Sequence, residues 1–200
     1  MSFDLLPTDM LLLRLQGDPL TVNVLAQQLA AAPVCKALES SIVRHAWEEH
    51  SSTAYIYLGL PFRIALTMSM LAPLTEMARH GVRVKVCRLA LMRSILGASQ
   101  GQRASFHYVV ETTPETGWEM ELQRWYESEH LPGLASVQGC VQAQRFWNHD
   151  DGPRSFACYD LVDKQALDSP AWLAVRHTAW SDRVRPHFTN TARTMFTLQR

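Results

Sequence analysis

The sequence predicts an α+β protein built from two consecutive units with the same order of elements, β-α-β-β-α-β. Three observations predict it. The apolar patterning gives that order once before residue 93 and again after residue 104. A stretch with two glycines and several polar residues, Ser94 to Arg103, separates the two readings as a linker. Pro33, Arg44 and Trp47 in the first half recur in similar places as Pro132, Arg145 and Trp147 in the second, the mark of one unit used twice. The expected division is therefore a first unit over 1–93, a linker over 94–103 and a second unit over 104–200.

In the first unit, Met10 to Leu15 is a short apolar run ended by Gly17 and Asp18, a buried strand. Asp18-Pro19 starts a helix, with a capping carboxylate followed by proline at the first helical position. Val22, Leu25, Ala26 and Leu29 form its apolar stripe, and Pro33 ends it. Ser40–Trp47 and Thr53–Leu60 are strands joined as a hairpin by a polar loop. Pro61 to His80 has helical character with a kink at Pro73, and Gly81 caps it. Val82 to Leu91 alternates apolar with basic residues, as a strand with one wet face does.

In the second unit, Ser105 to Thr112 is a strand by its β-branched and aromatic content. Thr113-Pro114 opens a helix that carries Trp118, Leu122, Trp125 and Tyr126. Pro132 stops that helix near His130, because proline disfavours helical geometry in the residue before it. Val141–Trp147 and Ser155–Val162 flank a turn rich in Asp, Asn, Gly and Pro. A helix from Ser169-Pro170 ends by Pro186, and Arg193 to Leu198 is the closing strand. Within each unit two helices cover one sheet face. The other face, left apolar, is expected to pack on the sibling sheet.

Composition excludes several classes of function. Hydrophobic residues make up 47%, and 19 basic residues balance 19 acidic ones, so there is no field to collect nucleic acid or an anionic membrane. No apolar run is long enough to span a bilayer. Met1 to Asp9 lacks the basic and apolar regions of a secretory signal. Cys35, Cys87, Cys140 and Cys158 stand apart in apolar surroundings, as buried thiols of a cytoplasmic protein do. Neither they nor the histidines have zinc spacing. No phosphate-binding glycine motif or serine-hydrolase elbow is present.

The stretch Trp125-Tyr126-Glu127-Ser128-Glu129-His130-Leu131-Pro132 joins an imidazole, two carboxylates and two aromatic rings. Together with Val137-x-Gly139, Arg145-Phe146 and Ser169-Pro170-Ala171-Trp172, it resembles the dimeric α+β barrel superfamily, most closely its EthD-type and related uncharacterised members. The resemblance covers about 95 residues of the second half; the first half matches by element order. It implies ferredoxin-like units paired sheet to sheet, here within one chain as an intrachain α+β barrel. It also implies a small-molecule ligand, no cofactor, and a possible homodimer of the two-unit chain. Some relatives bind haem through a histidine, which makes haem binding an alternative.

His130 is the leading candidate, with a side chain suited to general acid/base work and Glu129 as its orienting partner. Glu127, Glu129 and the helix end are expected to raise its pKa. The competing reading is a surface histidine at a helix end. If Pro33 is matched to Pro132, Ala31 and Ala26 stand where His130 and Trp125 do, which favours one pocket per chain, in the second unit. His107 is a second candidate if its strand parity turns it inward, as a first-strand histidine can be turned in EthD-like relatives; the favoured alternative is a buried histidine with its hydrogen bonds satisfied. Tyr159 and Arg145 could stabilise a carboxylate, phenolate or enolate. A structural ion pair shared with Arg44 would account for Arg145 equally well. Trp125 and Trp147 are expected to contact substrate, while Trp172 and Trp180 pack and His187 lies in a loop. The chain is thus expected to be a cofactor-independent enzyme acting on a small aromatic or polyketide-like molecule, with a non-catalytic ligand-binding or stress-related protein as the rival.

Overall fold

The computed structural model describes residues 4–77 and 81–199. The described residues up to Ala90, together with Leu198 and Gln199, form one compact unit, and Leu91–Thr197 form another. The first contains β1 (Leu6–Gln16), α1 (Pro19–Ala31), α2 (Pro33–Ala37), β2 (Ser41–Glu48), β3 (Thr53–Leu66), a 3-10 turn at Met68–Leu71, the one-turn α3 (Ala72–Thr75) and the start of β4 (Arg83–Leu96). Its strands pair antiparallel in the order β4-β1-β3-β2. The second contains β5 (Phe106–Pro114), α4 (Glu119–Trp125), a π-helical turn at Tyr126–His130, α5 (Leu131–Ala135), β6 (Cys140–Asn148) and β7 (Ser155–Leu161). A 3-10 turn at Lys164–Asp168, α6 (Pro170–Arg176), α7 (Ala179–Val184), a further 3-10 turn at Arg185–His187 and β8 (Phe188–Leu198) complete it. Here the strand order is β8-β5-β7-β6, again antiparallel. The fold is a mixed α+β one, and no described helix is long and apolar enough to cross a membrane.

Strand alternation decides what each sheet presents to its helices. In the first unit Leu11, Leu13 and Leu15 of β1 and Ala54, Ile56 and Leu58 of β3 pack with Val22, Leu25 and Leu29 of α1. In the second, Ala143 of β6 and Ala157, Tyr159 and Leu161 of β7 pack with Leu122, Trp125, Leu131, Leu134 and Trp172. Asp18 caps α1 through its carboxylate, which accepts from the Leu20 and Thr21 amides.

Several local expectations need correction. Pro61 to Leu66 is not helical but continues β3, paired with β1 across a bulge between Thr8 and Met10. Helical geometry begins only at Met68, and 78–80 lie outside the described residues. Pro114 does not open a helix. It sits opposite Phe188 at the end of β5, and α4 starts at Glu119 after Gly117 takes φ +91°. The front of the stretch read as a linker is ordered against its own unit. β4 runs to Leu96, and the Gly97, Ala98 and Ser99 amides donate to the Val141, Ala135 and Cys140 carbonyls at 2.8 Å each.

The helix also does not stop at His130. It widens into one π-helical turn, the Leu131 amide donates to the Tyr126 carbonyl, and helix resumes through Pro132. A proline ring collides with the carbonyl four residues earlier and offers no amide to it. A wider turn removes both problems without ending the helix, and such turns recur at functional sites. Pro33 behaves differently. Ala32 before it becomes extended at ψ 136°, and α1 ends there.

Candidate functional site

The π turn controls the site. It brings the His130 ring onto Trp125, five residues earlier, as a stack with centroids 4.0 Å apart and planes 20° apart. Tyr126 meets the same imidazole edge-on at 5.5 Å. In β5 and β7, Tyr108 and Tyr159 are register partners on the helix-facing side of the sheet. Tyr159 and Trp172 of α6 meet edge to face at 5.2 Å.

These groups surround a small cavity of about 30 Å³ within the second unit, between sheet and helices. Its deep part is formed by Trp125, Tyr126, His130 and Tyr159, all buried. Tyr108, Trp172 and Phe188 form more of its wall, and Arg176, Arg185 and Arg193 reach it from α6, the following 3-10 turn and β8.

Beneath it lies Arg145 of β6, 1% exposed. Its guanidinium carbon sits 4.4 Å from the centre of the Tyr126 ring, and its Nε and Nη2 donate to Ser155 Oγ at 3.4 and 3.2 Å. Arg145 Nη1, Trp125 Nε1, His130 Nδ1 and the Tyr159 hydroxyl are all buried without a hydrogen-bond partner among the described residues.

Burial sets the protonation states. Desolvation, then the positive charges of Arg185 and Arg176, push the His130 pKa down to about 3, against a small opposing contribution from the Val175 carbonyl. His130 is therefore a neutral ring at ordinary pH. The expected upward shift reverses because the two glutamates turn elsewhere. Glu129 accepts from Thr178 Oγ1 at 2.6 Å, and Glu127 accepts from Gln123 Nε2 at 3.0 Å. Burial pushes Tyr126 up to about 12 and also raises Tyr159 well above the ordinary tyrosine value, so both stay hydroxyl donors. Burial also lowers the Arg145 pKa, against the favourable influence of Tyr126, Tyr159 and Glu127.

The structure thus gathers His130, Trp125 and Tyr159 at one cavity, with Arg145 behind Tyr126. It does not gather the rest. His107 lies on the opposite face of β5, fully buried, with Nδ1 2.6 Å from Asp160 Oδ1; parity gives the helix-facing place to Tyr108. Trp147 is half-buried opposite Ser155 and is absent from the cavity wall. His187 stacks on Trp118 at 3.4 Å and contacts Glu115, away from His130. Arg44 is no counterpart of Arg145. It pairs in register with Tyr57 and stacks on it at 5.1 Å, on the sheet face turned away from α1.

Sequence reasoning passed over Tyr108 and the three arginines. The parity of β5 relative to Tyr159 would have found Tyr108. No local signal links Arg176, Arg185 and Arg193, which come from three elements.

No protein-family profile matches the sequence, and no curated protein matches it. The fold itself is shared with solved structures. An anthrone oxidase-like protein matches over 96% of this chain and 92% of its own, with a TM-score of 0.61 at 12% identity. A mutant chlorite dismutase from Candidatus Nitrospira defluvii matches over 98% and 94%, with a TM-score of 0.63 at 8% identity. A haem-degrading enzyme from Listeria monocytogenes matches over 94% and 98%, with a TM-score of 0.52 at 8% identity. At these identities the likeness is one of fold.

Proposed function

We propose that the second unit carries a small-molecule site, in which a cofactor-independent enzyme acts on a small aromatic or polyketide-like substrate. His130 is its proton acceptor, and Tyr159 stabilises the enolate-like charge that develops. Trp125 contacts the ligand, and Arg145 holds Tyr126 in place and adds positive potential beneath it. One observation carries this reading: three buried polar atoms of the cavity wall, Trp125 Nε1, His130 Nδ1 and Tyr159 Oη, have no partner. Each such atom costs about 1–3 kcal/mol when left unpaired, so an occupant with matching polar atoms recovers that cost. The two matching unit topologies and the EthD-like Trp125–Pro132 pattern support a duplicated ferredoxin-like ancestry, with the site kept in one copy.

One fold neighbour degrades haem, but the cavity does not fit that group. At about 30 Å³ it has room to enclose a small polar group and not a porphyrin, and Trp125 covers one face of His130. A second reading, ligand binding without catalysis, is favoured by the His130 pKa near 3, which makes a weak base at neutral pH. The two are separated by identifying the co-purifying ligand with native mass spectrometry and following its conversion. His130→Gln abolishing conversion while retaining binding supports the enzyme. Unchanged conversion by His130→Gln removes His130 from the chemistry.

A further inference from the structure

The cavity wall has an unusual charge composition: three arginines and no carboxylate. Arg176, Arg185 and Arg193 have no ion-pair partner among the described residues. They lie close enough that Arg176 and Arg193 lower the Arg185 pKa, after burial, with only Asp182 and Tyr108 opposing. Arg185 Nη1 donates to the Arg176 main-chain carbonyl at 3.3 Å, which holds its guanidinium at the end of α6. Three like charges gathered at one opening repel one another, an arrangement stabilised when an anion joins them.

The deep end has the same polarity. Trp125 Nε1–H can only donate, and the Tyr159 hydroxyl stays protonated and has a free hydrogen. The whole cavity, about 30 Å³, suits one or two waters or a group the size of a carboxylate, with the rest of a larger ligand outside it. Tyr108, Trp172 and Phe188 line the way out with rings.

We infer that this cavity selects an aromatic carboxylate, with the carboxylate lodged against Trp125 Nε1 and Tyr159 Oη and its charge balanced by Arg176, Arg185 and Arg193. The inference rests on the ligand site proposed above and specifies its ligand class. The two buried donors gain acceptor oxygens, and the arginine cluster gains a counter-charge that a neutral ligand does not bring. Discrimination comes from charge rather than from the ring, since the cavity encloses only the carboxylate.

The test is calorimetric titration of the full chain with benzoate and with its neutral isostere benzamide, at low and high salt. Benzoate should bind at least ~10-fold more tightly than benzamide, and the difference should shrink as salt screens the arginines. Arg185→Gln, checked for native melting, should weaken benzoate by about 5-fold or more and leave benzamide little changed, and Trp125→Phe should weaken benzoate by a similar factor. Arg183→Gln, an exposed arginine paired with Glu121 away from the cavity, is the control and should change nothing. Equal affinity for the two probes, no binding of benzoate at millimolar concentration, or full affinity in natively folded Arg185→Gln would each overturn the inference. Benzamide binding alone would overturn it too but leave the proposed site standing. Benzoate binding retained by His130→Gln would support the anion site, because the carboxylate is held by Trp125, Tyr159 and the arginines; the role of His130 is tested by conversion alone.

Discussion

His130 shows how far a side chain's surroundings can move it from its textual promise. A histidine between two glutamates reads as a raised, charged imidazole, yet burial and two arginines make this one neutral. The consequence is a stability effect with a definite sign. Its folded-state pKa of about 3 lies below the unfolded value of 6.5, so the unfolded chain takes up a proton that the native site refuses. The contribution is intact above pH 6.5 and is lost as pH falls from there towards 3. By about pH 4.5 the loss should reach roughly 3 kcal/mol. Replacing His130 with Gln should therefore flatten the fall of melting temperature between neutral pH and that point. An unchanged slope would show that the imidazole is not buried neutral.

At the scale of elements, the same residue type had two outcomes. Pro33 ends a helix because the residue before it turns extended, while Pro132 is absorbed by a π turn. That turn is held by neighbours on both sides. Gly133, one residue after the proline, faces α6 closely enough that a Cβ there would lie 2.9 and 3.1 Å from the two Val175 methyls. Gly133→Ala gains about 1 kcal/mol in helix propensity but incurs about 1–3 kcal/mol of overpacking. The single substitution should lower the denaturation midpoint, and Gly133→Ala combined with Val175→Ala should recover most of the coupling in a double-mutant cycle. Additive effects would mean that α5 and α6 do not meet closely there.

Over the whole molecule, two units share a strand order, and the polar cavity belongs to the second. The first unit's helix-facing core is apolar throughout its buried cluster, from Leu11 to Val86. Trimming it should then affect stability without touching the site. Leu29→Ala, at a position 1% exposed, should cost about 2–5 kcal/mol in denaturant unfolding. Benzoate affinity measured well below the unfolding transition should stay at the wild-type value. A parallel loss of affinity would show that the two units are coupled at the site.

The amino-acid sequence by itself determined the order of elements and the α+β character, and it singled out Trp125 to Pro132, three of whose residues line the cavity. Those features rest on local periodicity, caps and turn residues, which a short window contains. Strand parity was within reach too, since Tyr108 and Tyr159 share a face once their register is known. Only the tertiary structure decided that His107 turns to Asp160, that Glu129 turns to Thr178 and that His130 is neutral. It alone gathered Arg176, Arg185 and Arg193 around one opening. The physical reason is separation along the chain: burial and electrostatic potential sum over groups from several elements, and a local window carries no trace of that sum.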